Sequence, residues 1–396
     1  YELNDQRRSL NEIELPFRGE LRDFQEIAVA KMAGRDFGTL CAPTGSGKTV
    51  MALFLIHLRR QPALIVVHTK ELAFQWIDRI NTYLGVDKEA VGLIGAGRKQ
   101  VGELITVALV QSLYKCAEEV APRVGHLVVD ECHRAPSRTF TEAVTAFDSR
   151  YMLGLSATPW RRDKLSKLIF WHLGDVHHQV ESEALVARGH ILAAKIIWRP
   201  TRFEPYYDPV NEYAKMLAEL TSDDERNRTI AADVARVVAS EAGGVCLVLS
   251  DRKKHCEVLR GLLQYKHGIE AALLTGDLST EQRRAVLESL RGGGEKVVVA
   301  TGQLIGEGFD CPDLATLFLG TPIRFSGRVL QYLGRILRPA EGKETATVYD
   351  YVDEKVPALL NAAEARRRVY GEGGAEGWDA HWGSGDGDTS AGANSN

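Results

Sequence analysis

The residues with the clearest chemical potential lie at 42–49, where the sequence reads Ala-Pro-Thr-Gly-Ser-Gly-Lys-Thr. This spacing is typical of a phosphate-binding loop, because glycines let backbone N–H groups turn toward phosphate oxygens at the positive end of the following helix. Lys48 could then reach the β- and γ-phosphates, and the Thr49 hydroxyl could bind Mg²⁺. The first position is Ala42 where glycine is usual, and a glycine-rich turn before a helix is the alternative. The predicted nucleotide contacts in the loop are Thr44, Gly45, Ser46, Gly47, Lys48 and Thr49.

Two acidic residues follow another apolar run, in the segment Leu-Val-Val-Asp-Glu-Cys-His at 127–133. Ligands bind at the carboxyl end of parallel strands, and there Asp130 is suited to hold Mg²⁺ through its water shell. Glu131 is suited to orient and deprotonate the attacking water. A solvated acidic turn is the alternative, and the preceding phosphate loop argues against it. His133 is a candidate link from the nucleotide site to its neighbours, with a structural histidine as the alternative.

Both segments need strands that end at one edge of a sheet. The chain supplies short apolar runs that alternate with amphipathic stretches, a pattern that predicts an α/β fold with parallel sheets. The pattern occurs twice, and 396 residues suit two domains. The predicted strands are 38–42, 63–67, 105–110, 126–129 and 151–155, then 244–250, 271–274, 296–300, 316–320 and 345–349. The predicted helices include 49–58, 72–83, 252–263 and 280–290.

A less regular stretch at 196–224 separates the two patterns and contains three prolines and the adjacent Tyr206 and Tyr207. We interpret it as the connection between the domains. The predicted domains are therefore 1–195 and 196–368, the second including the connection. Residues 369–396 are rich in Gly, Ser and Asp and are expected to be disordered.

Composition restricts the class of protein. Hydrophobic residues make up 44% of the chain and charged residues 26%, which is typical of a folded protein. The net charge of −4 includes five acids at 371–396, so the body is close to neutral and compatible with a local basic groove. No two of the six cysteines form a C-x-x-C pair, which argues against a zinc site and favours a reducing setting. Without a membrane-length apolar run or a signal-peptide pattern, an intracellular, cytoplasmic location is expected.

Four further motifs occur in order with the two above. They are Leu-Arg-Asp-Phe-Gln at 21–25, Ser-Ala-Thr at 156–158, Gly-Glu-Gly-Phe-Asp at 306–310 and Gln-Tyr-Leu-Gly-Arg-Ile-Leu-Arg at 331–338. The ordered set resembles the superfamily 2 helicases and translocases from residue 21 to about residue 353. It is most similar to the branch of XPB, UvsW and the type I restriction translocases. Asp-Glu-Cys-His, and a final motif that begins with Gln331, depart from the RNA helicases named for Asp-Glu-Ala-Asp.

The resemblance implies two tandem RecA-like domains, each a mostly parallel sheet flanked by helices, with the ATP site in the cleft between them. It implies that Gln25 reads the adenine edge and that Arg22 flanks the base, with a plain surface arginine as the alternative for Arg22. Arg335 and Arg338 would reach the γ-phosphate as arginine fingers, and their i, i+3 spacing places them on one helix face. A solvated basic helix face is the alternative for this pair. The resemblance also implies residues of the second domain that face the interface, namely Gly306, Glu307 and Asp310. Residues implied to couple the nucleotide site to its neighbours are His133, Ser156, Thr158 and Gln331.

The same resemblance points to nucleic-acid contacts at polar residues that follow strand ends. Groups of this kind bind phosphates without reading sequence, so we expect little base specificity. Polar residues also end strands for purely structural reasons, which is the alternative at each position. The implied contacts are Thr69, Lys70, Gln111, Ser112, Ser250, Arg252, Thr275, Gly276 and Thr301, with His68 beside the first pair.

The predicted activity is ATP-dependent movement on DNA, duplex or single-stranded, with ATP and Mg²⁺ as cofactors. An ATP-gated clamp that binds nucleic acid without moving is one alternative, and it would need neither a water-activating acid nor arginine fingers. An RNA helicase is the other, since backbone contacts distinguish DNA from RNA only weakly. The chain begins with Tyr1, and relatives of this kind often sit in larger polypeptides. A fused or associated nuclease, primase or repair module is therefore an expected partner.

Overall fold

The computed structural model describes residues 4–132, 138–157, 171–240, 244–302, 311, 313–323, 332–340, 343, 345–372 and 378–379. Over these ranges the chain forms two sheets of mostly parallel strands with helices packed on them, which confirms the predicted α/β class. Strands such as 63–67 are buried along their whole length. Continuous apolar runs of this kind are typical of parallel strands that are covered on both faces.

The first sheet has the strand order β4-β3-β5-β2-β6-β7-β1-β8, and every pair is parallel except β3 with β4. Because β1, β7, β6, β2 and β5 are neighbours, the loops that follow their carboxyl ends share one edge. The strands are β1 (Phe37–Cys41), β2 (Ala63–Val67), β3 (Gly92–Gly95), β4 (Arg98–Gln100), β5 (Ile105–Leu109), β6 (His126–Val129), β7 (Tyr151–Ser156) and β8 (Val176–Gln179).

The second sheet has the order β11-β12-β10-β13-β14-β9-β15 among the described residues, with parallel pairs throughout. Ser250 at the end of β10 pairs with Thr301 at the end of β12. The strands are β9 (Ala194–Thr201), β10 (Val245–Ser250), β11 (Ala272–Leu274), β12 (Val297–Thr301), β13 (Leu314–Leu319), β14 (Ala346–Asp353) and β15 (Trp378–Asp379).

Helices connect the strands, and local signals fix several of their ends. Thr69 begins α3 by accepting a hydrogen bond from the Leu72 N–H, and Gly85 ends it in the left-handed conformation. The helices are α1 (Asp23–Ala33), α2 (Lys48–Arg59), α3 (Lys70–Leu84), α4 (Val110–Leu113), α5 (Ala117–Val120), α6 (Arg138–Val144), α7 (Ser182–Ala187), α8 (Tyr213–Ser222), α9 (Asp224–Ala239), α10 (Lys253–His267), α11 (Thr280–Arg291) and α12 (Pro357–Glu372). A 3₁₀ turn spans Ala121–Arg123, and residues 332–336 are also helical.

The apolar core lies between the sheets and their helices. Met51, Leu55 and Ile56 on α2 are fully buried and face the first sheet's strands within one cluster. Truncating such a side chain to alanine typically costs about 2–5 kcal/mol, so α2 holds the phosphate loop at a firmly packed position. The six cysteines are reduced, and five of them are buried, with Cys116 partly exposed.

The connection between the sheets differs from its predicted position. Residues 194–201 form β9 inside the second sheet, so the chain crosses between β8 and β9, over residues 180–193. In the sequence, Pro200 argued for a connection and against a strand, because proline has no N–H to donate to a neighbouring strand. In the structure β15 pairs only with Ile196 and Ile197, so the missing N–H of Pro200 costs no bond with β15.

Within residues 369–396, for which disorder is expected, the structure describes 369–372 and 378–379. Helix α12 continues to Glu372, and β15 pairs with β9. A buried ion pair fixes the helix, since Arg366 donates to both Asp350 oxygens at 2.8 and 2.6 Å and the Tyr370 hydroxyl donates to one of them. Of these residues, Tyr370 belongs to the predicted tail, whose polar composition gives no sign of a partner on β14.

Candidate nucleotide-binding site

The phosphate loop joins the end of β1 to the start of α2. Gly45 and Gly47 have φ values of 91° and 84°, a left-handed region that side chains rarely adopt, so glycine is required at both. Gly47 is the N-cap of α2, which places the loop at the positive end of that helix. The Lys48 ammonium donates to the carbonyls of Ala42 at 2.8 Å and Pro43 at 3.3 Å. The loop therefore has the backbone geometry that phosphate oxygens need, with its cation folded against it.

Asp130 lies at the end of β6 and is 8% exposed. One of its oxygens accepts a hydrogen bond from the Trp76 indole at 2.8 Å, and the other accepts from the Glu131 N–H at 2.9 Å. Burial and the neighbouring Glu131 charge raise the pKa of Asp130 to about 6, against the lowering effects of Trp76 and Lys48. The carboxylate is thus held in a fixed orientation within electrostatic reach of the phosphate loop.

Glu131 has a φ of 49°, an uncommon conformation for a residue with a side chain. Backbone strain of this kind persists only where the surroundings enforce it, and it concentrates at functional sites. The sharp turn ends β6 directly after Asp130 and leaves Glu131 half-buried at the carboxyl edge of the sheet. The acidic pair therefore lies at the edge of the sheet that carries the phosphate loop.

Gln25 connects the start of α1 to the phosphate loop. Its side chain is 5% exposed, and its amide donates to the Ser46 carbonyl at 2.8 Å and accepts from the Arg22 N–H at 3.0 Å. A Cβ at Gly47 would overlap the Gln25 amide nitrogen, which is a second reason for glycine there. Arg22 is the exposed N-cap of α1. The Gln25 amide, which was predicted to read adenine, is thus hydrogen-bonded to the backbone of the phosphate loop.

Ser156 ends β7 beside the phosphate loop. It pairs with Cys41, and its carbonyl accepts a hydrogen bond from the Ala42 N–H at 2.9 Å. Its side chain is 1% exposed. A shift of this strand end would therefore displace Ala42, the first residue of the loop. The other predicted coupling residues, His133, Thr158 and Gln331, lie outside the described residues, as do Gly306, Glu307 and Asp310.

The helical segment 332–336 of the second half of the chain lies on the phosphate loop. Gly334 is buried, and a Cβ built there would overlap the Thr44 Cβ. The Gly334 carbonyl oxygen lies 3.3 Å from the point where a Cβ atom on residue 45 would lie. The Leu337 carbonyl accepts a hydrogen bond from the Leu192 N–H at 2.8 Å, so the connection between the sheets is tied to the same segment.

Arg335 and Arg338, the two predicted arginine fingers, come shortly after Gly334 in the chain. The aliphatic part of the Arg338 side chain lies 3.7 Å from the point where a Cβ atom on residue 45 would lie. The backbone carbonyl of Arg338 accepts a hydrogen bond from the Lys343 ammonium at 2.8 Å. Arg335 is half-buried and follows Gly334 directly. The Thr44 hydroxyl between the two halves is buried and has no hydrogen-bond partner among the described residues. The segment that carries Arg335 and Arg338 therefore lies against the phosphate loop.

Sequence reasoning missed two sets of contacts that hold the site together. Trp76 orients Asp130 from helix α3. Asp23, at the start of α1, forms an ion pair with Arg188 and lies 3.1 Å from the His190 ring nitrogen, which joins α1 to the connection between the sheets. Neither contact has a local sequence signal, because each joins residues far apart in the chain.

The predicted nucleic-acid contacts in the first half lie after β2 and β5, which are adjacent strands. Thr69 caps α3, Lys70 is exposed on its first turn, and His68 precedes them half-buried. Gln111 is exposed and Ser112 half-buried on α4. The structure therefore brings these five residues to one edge of the sheet.

The predicted contacts in the second half divide into two kinds. Arg252, Gly276 and Thr301 are exposed or half-buried after neighbouring strands. Ser250 is 1% exposed, and its hydroxyl bonds His255 at 2.9 Å and accepts from the Arg252 N–H at 3.1 Å. Thr275 is 5% exposed. The side chain of Ser250 orders the turn that presents Arg252.

The described ranges contain no cluster of three His, Cys, Asp or Glu side chains that could hold a metal ion by itself. Asp130 directly follows β6 and Thr49 lies in the first turn of α2, both at the carboxyl edge of the first sheet. Among the same residues, no helix combines the length and apolar character that crossing a membrane requires.

Two family models match the chain. The model described as the res subunit of type III restriction enzymes matches residues 18–161, and the helicase conserved C-terminal domain matches residues 229–340. The chain is 30% identical to the DNA 3'-5' translocase XPB2 of Sulfurisphaera tokodaii, over 81% of this chain and 79% of that protein. It is 28% identical to a protein of Acanthamoeba polyphaga mimivirus described as ATP-dependent RNA helicase L396, over 90% and 69% of the two chains.

Solved structures with the same fold include a fragment of an HsdR subunit of a type I restriction enzyme from Vibrio vulnificus YJ016. The TM-score is 0.68 at 18% identity, with 92% of this chain and 69% of the other covered. At this level of identity the likeness concerns the fold.

Proposed function

This chain belongs to the superfamily 2 helicases, in the branch that contains XPB, and is an ATP-dependent helicase or translocase; we propose that it moves along duplex DNA. The observation that carries the proposal is the close contact of Gly334 with the Thr44 side chain. It joins the two RecA-like halves at the phosphate loop, so that nucleotide bound there would be enclosed from both sides. Opening and closing of this cleft can then be coupled to alternating grip on the track.

In the proposed chemistry the loop binds ATP and Glu131 activates water. Lys48 and the backbone of 44–49 hold the β- and γ-phosphates, and Glu131 orients the attacking water and accepts its proton. Arg335 and Arg338 stabilise the charge that develops on the γ-phosphate, because planar guanidinium groups bind phosphate oxygens in a bidentate manner. Gln25 supports adenine recognition through its link to Ser46.

Mg²⁺ is the proposed metal, held by the Thr49 hydroxyl and, through water, by Asp130. It would neutralise phosphate charge in the transition state. Burial and the Glu131 charge raise the pKa of Asp130, and a divalent cation would relieve both effects. The Trp76 indole fixes the carboxylate in the required orientation.

The proposed track is DNA, bound through its backbone by the strand-end residues of both sheets. Exposed Lys70 and Arg252 supply charge, and Gln111 and Thr301 supply polar groups beside them. The relative XPB2 is named as a DNA 3'-5' translocase, which supports DNA as the track. By the same likeness, we propose that this chain moves in the 3'-5' direction. The mimiviral relative is described as an RNA helicase, so RNA is the second candidate track.

The proposed domains follow the two sheets, with the boundary between β8 and β9. The first contains the phosphate loop and both acids, and the second contains the arginines and Arg252. A DNA motor of this kind works inside the cell, and a nuclease, primase or repair module is the proposed type of partner.

The test of the proposal is a titration of ATPase rate against duplex DNA, single-stranded DNA and duplex RNA, with displacement of a triplex-forming oligonucleotide as the readout of movement. We expect stimulation by duplex DNA and ATP-dependent triplex displacement. Binding should weaken steeply with salt, because phosphates supply most contacts. Stimulation by RNA alone would favour the RNA helicase, binding without displacement would favour a clamp, and indifference to every nucleic acid would exclude a motor.

A further inference from the structure

The segment 202–212 between β9 and α8, termed here the tyrosine loop, presents an aromatic ring to solvent. Tyr206 is 88% exposed, whereas Tyr207 beside it is half-buried and packs edge-on at a ring distance of 5.5 Å. A large apolar ring that the fold leaves outside costs hydration free energy without stabilising the core. Exposed aromatic rings are common where bases or partners stack.

The backbone of the tyrosine loop is held by one carboxylate from α8 and one of its own. Glu219 on α8 accepts hydrogen bonds from the Tyr206 N–H at 3.1 Å and the Tyr207 N–H at 3.3 Å. Asp208 accepts from the Val210 N–H at 2.8 Å and from the Asn211 side chain. These acids are therefore occupied within the loop, and the exposed ring stands on a backbone that is already ordered.

The base of the loop is anchored in the second sheet. Phe203 is 4% exposed and packs with Met216 and Leu220 of α8. The Thr201 hydroxyl donates to Asp353 at 2.6 Å, and Asp353 also accepts from the buried Arg226. A ring presented from such a base loses little conformational freedom when it stacks on a ligand.

The tyrosine loop adjoins a predicted backbone contact. Lys215 lies 5.2 Å from the Tyr207 ring centroid, and the preceding residue, Ala214, accepts a hydrogen bond from the Arg252 guanidinium at 3.4 Å. Lys215 is also ion-paired with Glu212 at 2.7 Å, so Arg252 is the cation beside the tyrosine loop that we take to hold the phosphate backbone. Cations that hold a phosphate backbone next to a ring that takes a base are the usual components of single-strand binding surfaces.

We propose that Tyr206 stacks on an unpaired nucleobase, at a junction where duplex and single strand meet. The inference rests on the proposed function, because Arg252 must hold the backbone of a nucleic acid for the base to reach the ring. The ring supplies a stacking face without hydrogen-bond readout, so the contact discriminates paired from unpaired bases rather than one base from another.

The test compares Tyr206→Ala, Tyr206→Phe and a matched control, Tyr265→Ala, in the full chain. Tyr265 is 89% exposed on α10 of the same half and has no part in the proposed surface. Binding is measured with an oligothymidine of about 20 nucleotides that carries one 2-aminopurine, and with a blunt duplex. Stacking quenches 2-aminopurine fluorescence, so contact with the base is observed separately from affinity.

We expect Tyr206→Ala to weaken oligothymidine binding by about tenfold, with loss of quenching, while Tyr206→Phe and Tyr265→Ala stay within about twofold of the wild type. The dependence of binding on salt should not change, because no phosphate contact is removed. Blunt-duplex binding should also be unchanged.

Equal binding and quenching by wild type and Tyr206→Ala would overturn the inference alone, and this is the result expected of a ring that serves a protein partner. Equal weakening on both DNAs would also overturn it, since it would indicate a disturbed loop. A wild-type chain that binds no nucleic acid would overturn the proposed function together with the inference.

Discussion

Gly334 lies directly against the side chain of Thr44, with no room for a methyl group between them. The contact joins the two halves of the molecule at the phosphate loop. Gly334→Ala should therefore keep the cleft from closing and lower the ATPase kcat by about 100-fold, since misplacement by about 1 Å has effects of this size. Gly261→Ala is the matched control, because a Cβ there meets nothing within 4 Å. Steady-state kinetics with nucleotide-binding affinity would separate lost closure from lost binding, and a fully active Gly334→Ala would contradict the interface.

Glu131→Gln should retain ATP and Mg²⁺ binding and lose turnover, because the amide cannot accept a proton from water. A general base typically contributes about 10²–10⁴ in rate. Lys48→Ala should instead raise the nucleotide Kd, since it removes the cation of the phosphate loop. The two variants are compared by equilibrium nucleotide binding and single-turnover hydrolysis. Near-normal hydrolysis by Glu131→Gln would assign the base elsewhere.

Arg335→Ala should bind ATP and DNA and hydrolyse ATP about 10³–10⁵ times more slowly, if it acts as an arginine finger. Arg335→Lys should rescue poorly, because a point charge cannot reproduce the planar guanidinium fork. Arg338→Ala, changed in the same way, shows whether the second arginine has the same role. Single-turnover rates with saturating ATP decide the matter, and full rescue by lysine would indicate a purely electrostatic effect.

Trp76→Phe removes the indole donor to Asp130 and keeps an aromatic ring in the core. The hydrogen bond lowers the pKa of Asp130, so its loss should raise that pKa further above about 6. The Asp130 carboxylate is active when it is ionised, and the ionised form is lost as pH falls through its pKa. The acidic limb of the kcat/KM profile, which reports the free enzyme, should therefore move to higher pH. Trp171→Phe serves as the control, because Trp171 is 75% exposed. An unshifted limb in Trp76→Phe would show that Asp130 is not oriented through this bond.

Arg366→Met leaves the buried Asp350 carboxylate without its cation. Removing one partner of a buried ion pair typically costs about 3–5 kcal/mol, so urea unfolding should show a large loss of stability. The pair Arg284–Glu288 is exposed, and Arg284→Met should change the free energy of unfolding by about 0.5 kcal/mol or less. A loss in Arg366→Met that is no larger than this would mean that the pair does not anchor α12.

The central strands and the nucleotide loop were predictable from sequence because their signals are local. Residues 63–67 and 126–129 are apolar runs that match β2 and β6 in full. The phosphate loop is likewise defined by glycines whose φ values only glycine tolerates, at Gly45 and Gly47.

The contacts that assemble the site were not predictable, because their partners are distant in sequence. Nothing near Asp130 indicates Trp76, and nothing near Asp23 indicates Arg188. Strand β9 was misread for a related reason, since Pro200 looks like a break until the short strand β15, which pairs with Ile196 and Ile197, is known. Local pattern predicts elements, whereas the site depends on which elements meet.

The buried cysteines make the chain well suited to fluorescence work on its own motion. Burial raises the pKa of Cys41 to about 11 and those of Cys246 and Cys256 to about 12, so the reactive thiolate is scarce at neutral pH. Cys116, which is partly exposed, is the native thiol to replace by serine. Dyes on one cysteine introduced in each half would then report cleft closure as energy transfer, in a protein whose remaining thiols stay unlabelled.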